Sequence, residues 1–434
     1  MFLKRDCEGF HRRDFLQIGS AGLLGLTLPQ LLKAESAGGG AKAKSVILVW
    51  LAGGPATIDM WDNKPSAPEG IRGEFKSIDT KAKDVQFSEH LPKMAAVADK
   101  VSVVRSLAHT IPSHGPGTVF MTTGNKPTAA LQYPAMGSLC AKLLPVEKGV
   151  PPYVSFQDLR NGSAGLAGYL GSAYNPFGVE GGGGGGKGNM KVRGITLPPD
   201  DSLEALEKRD KLLAGFDKGF QKLDAGGDIV EGLDAFHQQA LDILRSDRTK
   251  KAFDLAKEKD TVRESYGNNP FGQGVLAARR LVEAGVRFVT ISTGGWDTHG
   301  QNFNALKTRL LPNLDTTLSA LIADLDTRGL LDSTIVMCAG EFGRTPKVNK
   351  NAGRDHWARS MACVLAGGGL KRGYAHGTTD ASGMAPATDP VTPDDISATI
   401  FHQLGIDPKR ELMTPTGRPV QLFREGRVIE KLLA

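Results

Sequence analysis

The feature of this 434-residue chain that most limits its fold is a series of short, continuously apolar runs separated by helical patterns. Runs of Val, Ile and Leu without polar alternation are typical of strands buried on both faces of a sheet. Helical patterns between such strands predict an α/β fold with a mainly parallel central sheet and helices on both faces. The predicted strands are Ser45–Ala52, Val101–Leu107, Tyr153–Phe156, Val286–Ser292, Ser333–Ala339 and Met361–Ala366.

Three helices are predicted around this sheet. Ser88 is the expected N-cap of a helix over Glu89–Asp99, and Phe271–Ala284 leads directly into a strand. The segment Phe303–Arg328 carries leucines at three- and four-residue steps and is followed by Gly329, which indicates an amphipathic helix that ends there.

Residues from about 157 to 270 differ from the rest and read as an insertion in a domain that spans 45–434. Six consecutive glycines, Gly181–Gly186, follow no predicted strand and directly precede no predicted helix, so they predict a flexible surface loop and not a phosphate cradle. The stretches Asp201–Leu223 and Gly232–Arg263 resemble long, charged amphipathic helices. They predict an inserted helical cap.

Residues 1–44 read as an export signal and a flexible leader. The pair Arg12-Arg13 precedes the apolar run Ile18–Leu32, and small residues follow that run. Paired arginines followed by Phe-Leu resemble the twin-arginine type, so the twin-arginine export machinery is the expected partner and the periplasm or the exterior the expected location. The alternative is a membrane anchor, but the run is too short and too rich in glycine to cross about 30 Å of hydrocarbon. We therefore expect no stable membrane span after processing.

Charge and cysteine content narrow the class of protein further. The formal net charge is only +6, from 53 Lys and Arg against 47 Asp and Glu, and no concentrated basic face is visible, so nucleic-acid binding is not expected. Cys7 would leave with the signal. The three cysteines that remain are widely spaced, which argues against both a disulfide framework and a thiolate metal site. They are expected to be buried core residues.

Polar clusters follow several of the predicted strands, where ligands bind in open α/β sheets. After the first strand comes Gly53-Gly54-Pro55 and then Asp59, which could present a carboxylate to a cation or simply form a turn. After the second strand, Ser113 and His114 stand at the start of a predicted helix, where a nucleophile or an anion contact is favoured. The alternative is that Ser113 only caps the helix and the nearby histidines bond to the backbone.

Two further clusters carry ligand-type side chains. Asp297 and His299 are two residues apart in an extended glycine-walled loop, so both can face one ion. Glu341 could supply a ligand oxygen, and Arg344 could grip an anionic substrate. Structural alternatives exist for both clusters: Asp297 and His299 could form a turn, and Glu341 and Arg344 could form a surface ion pair.

The adjacent pair Asp355-His356 completes a set of Asp, Glu and His from separate strand ends. Oxygen ligands mixed with imidazole suit one or two divalent ions. Zinc and manganese are favoured, with calcium and magnesium as alternatives. Such ions would activate a nucleophile and stabilise charge on a transferring phosphoryl or sulfuryl group.

The mature chain resembles, over nearly its whole length, a secreted bacterial family catalogued as domain of unknown function 1501, within the alkaline phosphatase/sulfatase superfamily. The residues that carry the resemblance are Gly53-Gly54-Pro55 with Asp59, Ser113-His114-Gly115 with Thr122-Thr123-Gly124, Gly295-Trp296-Asp297-Thr298-His299, Gly340-Glu341-Phe342-Gly343-Arg344-Thr345-Pro346 and Gly353-Arg354-Asp355-His356-Trp357.

The resemblance implies an alkaline-phosphatase-like three-layer sandwich and assigns roles to these positions. Asp59 matches the first-strand metal ligand, Asp297 and His299 match an Asp…His pair with shortened spacing, and His356 matches the final His. Glu341-Phe342 stands where that superfamily has an Asp-His pair. The attacking position falls on His114 without a gap and on Ser113 with one gap.

Two functions remain open from the sequence. The first is a metal-dependent hydrolase of phosphate or sulfate esters, acting on a small anionic ester or on a sulfated or phosphorylated glycan. Phosphatase chemistry is favoured, because the Cys/Ser-x-Pro-x-Arg motif of formylglycine sulfatases is missing after Ser113. The second is a non-catalytic exported or envelope binding protein that keeps the fold and one ion. The sequence leaves the substrate, the identity and number of metal ions, and the oligomeric state open.

Overall fold

The computed structural model describes residues 40–156, 165–179, 242–243 and 246–434. At its centre is an eight-stranded sheet whose strands, numbered along the chain, occur in the order β8-β2-β7-β6-β1-β5-β3-β4. The strands are β1 (Ser45–Ala52), β2 (Val101–Leu107), β3 (Tyr153–Phe156), β4 (Phe177–Val179), β5 (Phe288–Gly294), β6 (Thr334–Ala339), β7 (Met361–Ala366) and β8 (Tyr374–His376).

Seven of these eight strands run in one direction. Strand β7 is antiparallel to both of its neighbours, β6 and β2, and every other pairing is parallel. The predicted mainly parallel sheet is therefore confirmed. All six predicted strands exist, and the largest displacement is that of β5, which starts and ends two residues later than expected.

Among the described residues, five helices of eight or more residues contribute to two layers that cover the sheet. They are α1 (His114–Thr123), α2 (Met136–Leu143), α3 (Pro270–Glu283), α4 (Leu311–Thr327) and α5 (Pro393–Gln403). Alternate side chains of β1 point to opposite faces: Ile47 belongs to the core under α3 and α4, and Leu48 to the core under α1, α2 and α5. This is the expected three-layer sandwich.

Shorter elements complete the described fold. The short α-helices are Glu69–Arg72, Pro92–Ala96, Asp247–Phe253, Asp260–Ser265 and Asn302–Ala305, the last joined to α4 by the π-helical Leu306–Leu310. Two-stranded sheets pair Ser77–Asp79 with Gln86–Ser88, Gly343–Arg344 with His356–Trp357, Thr378–Thr379 with Pro386–Thr388 and Glu411–Met413 with Pro419–Gln421. The 3-10 turns are Thr57–Asp59, Ala98–Lys100, Gly168–Leu170, Ser172–Tyr174, Leu255–Lys257, Leu331–Ser333 and Glu430–Leu432.

The predicted helix that starts at Ser88 is wrong. Ser88 ends a short strand, and the helix runs only over Pro92–Ala96. Its first backbone amides are capped from outside, because the Asp315 carboxylate of α4 accepts hydrogen bonds from the amides of Met94 (2.7 Å) and Lys93 (3.1 Å). A cap supplied by a distant helix leaves no trace in the local pattern.

The insertion differs from the prediction where the structure describes it. In place of one long helix to Arg263, the chain forms Asp247–Phe253 and Asp260–Ser265 with a break between them. At the break, the Asp254 side chain accepts a hydrogen bond from the Ala256 amide. The insertion also contributes the edge strand β4. The glycine run, Asp201–Leu223 and the predicted export signal lie outside the described residues. Of the predicted leader, residues 40–44 are described.

Cys140, Cys338 and Cys363 are free thiols and buried, as predicted. Within the described ranges, no helix combines the length and the apolar character needed to cross a bilayer.

Candidate metal centre

Loops at the carboxyl ends of the parallel strands β1, β2, β5 and β6 bring the predicted polar clusters together. Two close contacts between loops demand glycine. Gly53, at a φ of +122°, leaves no room for a Cβ, which would lie 2.4 Å from the Asp297 amide nitrogen. A Cβ on Gly353 would lie 2.0 Å from the carbonyl oxygen of His299. The loops that carry Asp297, His299 and His356 are thus packed backbone against backbone.

Three histidines and one aspartate converge at this edge. Nε2 of His299 lies 3.1 Å from Asp297 Oδ1 and 3.0 Å from Nε2 of His356. Nε2 of His356 lies 3.3 Å from the same Asp297 oxygen. Nε2 of His114 lies 3.4 Å from the second Asp297 oxygen, Oδ2. All four side chains are partly exposed, so the cluster is open to solvent on one side.

The opposite nitrogen of each imidazole has an acceptor as its partner. Nδ1 of His114 lies 2.6 Å from Glu341 Oε1, and Nδ1 of His299 lies 2.9 Å from Asp355 Oδ1. Nδ1 of His356 lies 3.0 Å from the carbonyl oxygen of Pro112. Carboxylates and carbonyls only accept hydrogen bonds, so each ring carries its proton on Nδ1 and directs the Nε2 lone pair at the centre of the cluster.

This arrangement fits a cation. In the neutral form of the rings, the Nε2 lone pairs of His299 and His356 face each other and the Asp297 carboxylate, with no proton between them. A shared positive charge removes that repulsion. In a tetrahedral zinc site with bonds of about 2.0–2.1 Å, adjacent ligand atoms lie about 3.3–3.4 Å apart. The three distances among Asp297, His299 and His356 are close to that edge.

Glu341 has a buried oxygen that lacks a partner within the described ranges, which is a second indication that the centre binds a further group. Its side chain is buried, and Oε1 accepts hydrogen bonds from His114 and from the Gly53 amide (3.0 Å). Its other oxygen, Oε2, is buried without a hydrogen-bond partner among the described residues. Such an atom is costly unless a further group binds it. Donor chemistry and geometry therefore both fit a divalent ion held by His114, Asp297, His299 and His356, with Glu341 beside them.

The neighbour that follows Glu341 packs beneath the imidazoles. The Phe342 ring is fully buried, and its centroid lies 4.4 Å from that of His356 and 5.0 Å from that of His114. These ring contacts restrain the tilt of the His114 and His356 imidazoles. At the position where the resemblance expects a second metal ligand, the chain therefore has an apolar support.

Arg344 does not reach the open side of the centre, where we expected it to contact an anion. Its guanidinium is fully buried and donates to the carbonyl oxygens of Gly54 (2.7 Å) and Arg354 (3.0 Å), and it is ion-paired with Asp297. Burial acts to raise the pKa of Asp297, but Arg344 and the nearby histidines outweigh it and lower that pKa to about 2. Asp297 is therefore ionised at neutral pH, as a metal ligand must be.

Asp59, the ligand expected from the first strand, is fully buried in the short turn Thr57–Asp59. Both of its oxygens are bonded to Arg354. The hydrogen-bond partners of Asp59 are therefore Arg354 and Asn302, and not residues of the histidine cluster. Sequence reasoning included Arg354 in a motif and gave it no role.

The two residues considered for nucleophilic attack have different surroundings. Both ring nitrogens of His114 face carboxylates. Ser113 is the N-cap residue of α1, but its side chain makes no capping hydrogen bond and is exposed. It directly follows Pro112, whose carbonyl oxygen holds His356. His109, by contrast, is a backbone partner: its Nε2 lies 2.8 Å from the Glu341 carbonyl oxygen.

A groove with a volume of about 610 Å³ opens beside these loops. Its lining includes Thr110, Phe120, Arg359 and Pro386. Thr110 lies three residues before Ser113, and Arg359 lies three residues after His356. Arg359 is exposed and its guanidinium lies 5.9 Å from the centroid of the Trp357 ring. The four side chains of the histidine cluster are not part of its lining.

The family can be stated at this point. The chain belongs to the family described as protein of unknown function DUF1501, whose model matches residues 43–433. Among curated proteins, none matches the chain.

Several solved structures are similar to this fold at low identity. Ps i-CgsB, in complex with k-i-k-neocarrahexaose, is 11% identical with a TM-score of 0.40, over 84% of this chain and 72% of that one. The phosphonate monoester hydrolase SpPMH from Silicibacter pomeroyi is 11% identical with a TM-score of 0.36, over 90% and 76%. Alkaline phosphatase from the Antarctic bacterium TAB5 is 11% identical with a TM-score of 0.36, over 85% and 99%.

Proposed function

We propose that this protein is an exported, metal-dependent hydrolase of phosphate or sulfate esters, with phosphate esters favoured. The observation that carries the proposal is the convergence of three imidazole Nε2 atoms on Asp297, each ring held from behind by an acceptor on Nδ1. A divalent ion bound there supplies a Lewis acid that polarises the ester and offsets the negative charge of the transition state. Zinc or manganese suits this mixed nitrogen and oxygen donor set best.

In this proposal the residues of the centre have separate roles in binding the ion and in attacking the ester. His114, His299, His356 and Asp297 hold the ion, and the exposed hydroxyl of Ser113 is the attacking group. The hydroxyl stands at the N-terminal end of the ten-residue helix α1, where the backbone amides favour a bound anion. His114 is the weaker choice as nucleophile because both of its nitrogens already face carboxylates.

The groove beside the centre would take the alcohol part of the ester. Phe120 and Pro386 give it apolar walls, and its charged lining is mixed, with Arg359 on one side and the carboxylates of Asp394, Asp395 and Glu425 also present. This combination suits a leaving group larger than an alkyl chain, such as a sugar. A sulfated or phosphorylated glycan is therefore our expected substrate class.

A non-catalytic binding protein with one ion is the second candidate. The observation in its favour is the burial of Arg344, which leaves the open side of the centre without the anion-binding guanidinium that we expected. The missing formylglycine motif and the replacement of an Asp-His pair by Glu341-Phe342 point the same way.

Turnover separates the two candidates. The full chain, loaded with zinc or with manganese, is assayed with aryl phosphate and aryl sulfate. A hydrolase turns over at least one of them, and Asp297→Ala abolishes both the turnover and the bound metal. The matched control is Asp260→Ala, an aspartate with an 84% exposed side chain that pairs with Arg263. A protein that binds metal but never turns over either ester would favour the binding protein.

A Ser113→Ala variant tests the attacking group. If the Ser113 hydroxyl attacks, kcat falls while the metal content stays unchanged, because Ser113 holds no part of the ion. An unchanged kcat in this variant would exclude Ser113 as the nucleophile.

A further inference from the structure

Arg354 is a second buried guanidinium at this edge of the sheet, and all five of its N–H groups are used. Nε and one terminal nitrogen donate to the two oxygens of Asp59, at 2.7 Å each. The remaining N–H groups donate to the carbonyl oxygens of Ile71, Thr345 and Pro346. The side chains of Asp59 and Arg354 are both completely buried. The Asp59 carboxylate is therefore occupied by a permanent cation.

The same ion pair ties together the two loops that carry the imidazoles. Asn302 donates to Asp59 Oδ2 (2.8 Å) and accepts a hydrogen bond from the Thr298 hydroxyl (2.6 Å). The Arg354 amide donates to the Thr298 carbonyl oxygen (3.1 Å). Thr298 lies between Asp297 and His299, and Arg354 directly precedes Asp355-His356. A change at Asp59 is thus transmitted to both loops without any contact with the ion.

We infer, on the basis of the function proposed above, that the centre takes a single divalent ion and that Arg354 is a built-in cation which makes Asp59 a positioning residue and not a ligand. Arg354 engages both oxygens of Asp59, whereas Arg344 meets Asp297 at Oδ1 and leaves Oδ2 facing His114. The donors of Asp297 and the three histidines are therefore left for an ion.

Metal stoichiometry tests the inference directly. The full chain is equilibrated with excess zinc and freed of unbound metal. The number of zinc ions per chain is then measured by inductively coupled plasma mass spectrometry. One zinc per chain supports the inference. Two would overturn it while leaving the proposed hydrolase intact, and none would overturn both.

Paired variants test the role of Asp59. Asp59→Asn alone leaves the buried Arg354 guanidinium without its negatively charged partner. We expect the zinc affinity to fall about 10–100-fold, as when an outer-shell partner is lost. The double variant Asp59→Asn with Arg354→Met removes both charges together. Because neither residue is a ligand, this variant should again bind one zinc, with an affinity within about tenfold of wild type.

The outcome that contradicts the positioning role is specific. If Asp59 is a ligand, the double variant stays as weak as, or weaker than, the single variant, because no second change restores a lost donor. Thermal melts of all variants with and without zinc show which of them are folded. Should the variants fail to fold, the wild-type stoichiometry still decides between one ion and two.

Discussion

Replacement of Glu341 by glutamine changes one charge behind the centre and leaves the shape nearly the same. Glu341 Oε1 accepts hydrogen bonds from His114 Nδ1 at 2.6 Å and from the Gly53 amide at 3.0 Å. In the Glu341→Gln variant, the side-chain amide can still accept both through its oxygen. It can no longer offer a carboxylate to the His114 ring, and its NH2 group replaces an oxygen that is buried without a partner among the described residues.

The size of the effect follows from these contacts. Outer-shell partners of ligating histidines are worth about 10–100-fold in metal affinity, which corresponds to about 1.4–2.7 kcal/mol. Since Glu341 is 1% exposed, little solvent screening reduces the loss, and we expect a value in the upper half of that range. The matched control is Asp355→Asn, which alters the partner of His299 at a 55% exposed side chain. Its cost should be less than about tenfold.

Competition with a chromophoric zinc chelator measures both affinities at neutral pH. The order of affinity should be wild type, then Asp355→Asn, then Glu341→Gln, with thermal unfolding of the metal-free proteins nearly equal. Zinc affinity of Glu341→Gln equal to that of wild type would refute the idea that this carboxylate orients His114 toward an ion.

Three further predictions concern the loops, the groove and the fold. Gly353→Ala places a methyl group against the His299 carbonyl oxygen, so we expect loss of zinc binding without unfolding; zinc titration of a folded variant that binds normally would contradict this. Arg359→Gln should raise KM for esters with an anionic leaving group and leave kcat unchanged for an aryl phosphate whose aryl group is uncharged. Equal effects on both substrates would contradict a groove subsite. Glu258→Gln leaves the buried Arg279 short of a partner, and urea unfolding should show a loss of about 3 kcal/mol at neutral pH. Burial acts to raise the pKa of Glu258, but two arginines outweigh it and lower that pKa; the stability that this carboxylate provides is thus fully present above the pKa of an unfolded glutamate, about 4.3, and is lost as the pH falls through the lowered value. A deficit that persists in strong acid would contradict the assignment.

The strands were predictable because burial on both faces makes them continuously apolar. β1, β2, β3 and β7 have the predicted limits, and the loops that follow β1, β2, β5 and β6 meet as parallel strands require. The pairing of Asp297 with His299 followed from their spacing in extended backbone. Local pattern and tertiary arrangement agree at these places, so the sequence alone was sufficient.

Distant partners account for what the sequence did not reveal. Asp59 and Arg344 were assigned to an ion and to an anion by their residue types, but each forms an ion pair with a residue from another loop, Asp59 with the buried Arg354 and Arg344 with the partly exposed Asp297. A cap from Asp315 shortened the helix expected at Ser88. In each case a long-range partner decides the role of the side chain, and no local periodicity encodes that partner.

X-ray absorption at the zinc edge of the zinc-loaded full chain tests the central claim most directly. We predict nitrogen and oxygen ligands at about 2.0–2.1 Å, with the multiple scattering of two or more imidazoles and no sulfur ligand. His299→Ala should remove one imidazole from that signal. A spectrum without imidazole scattering, or one unchanged in His299→Ala, would contradict a metal centre built on His114, Asp297, His299 and His356.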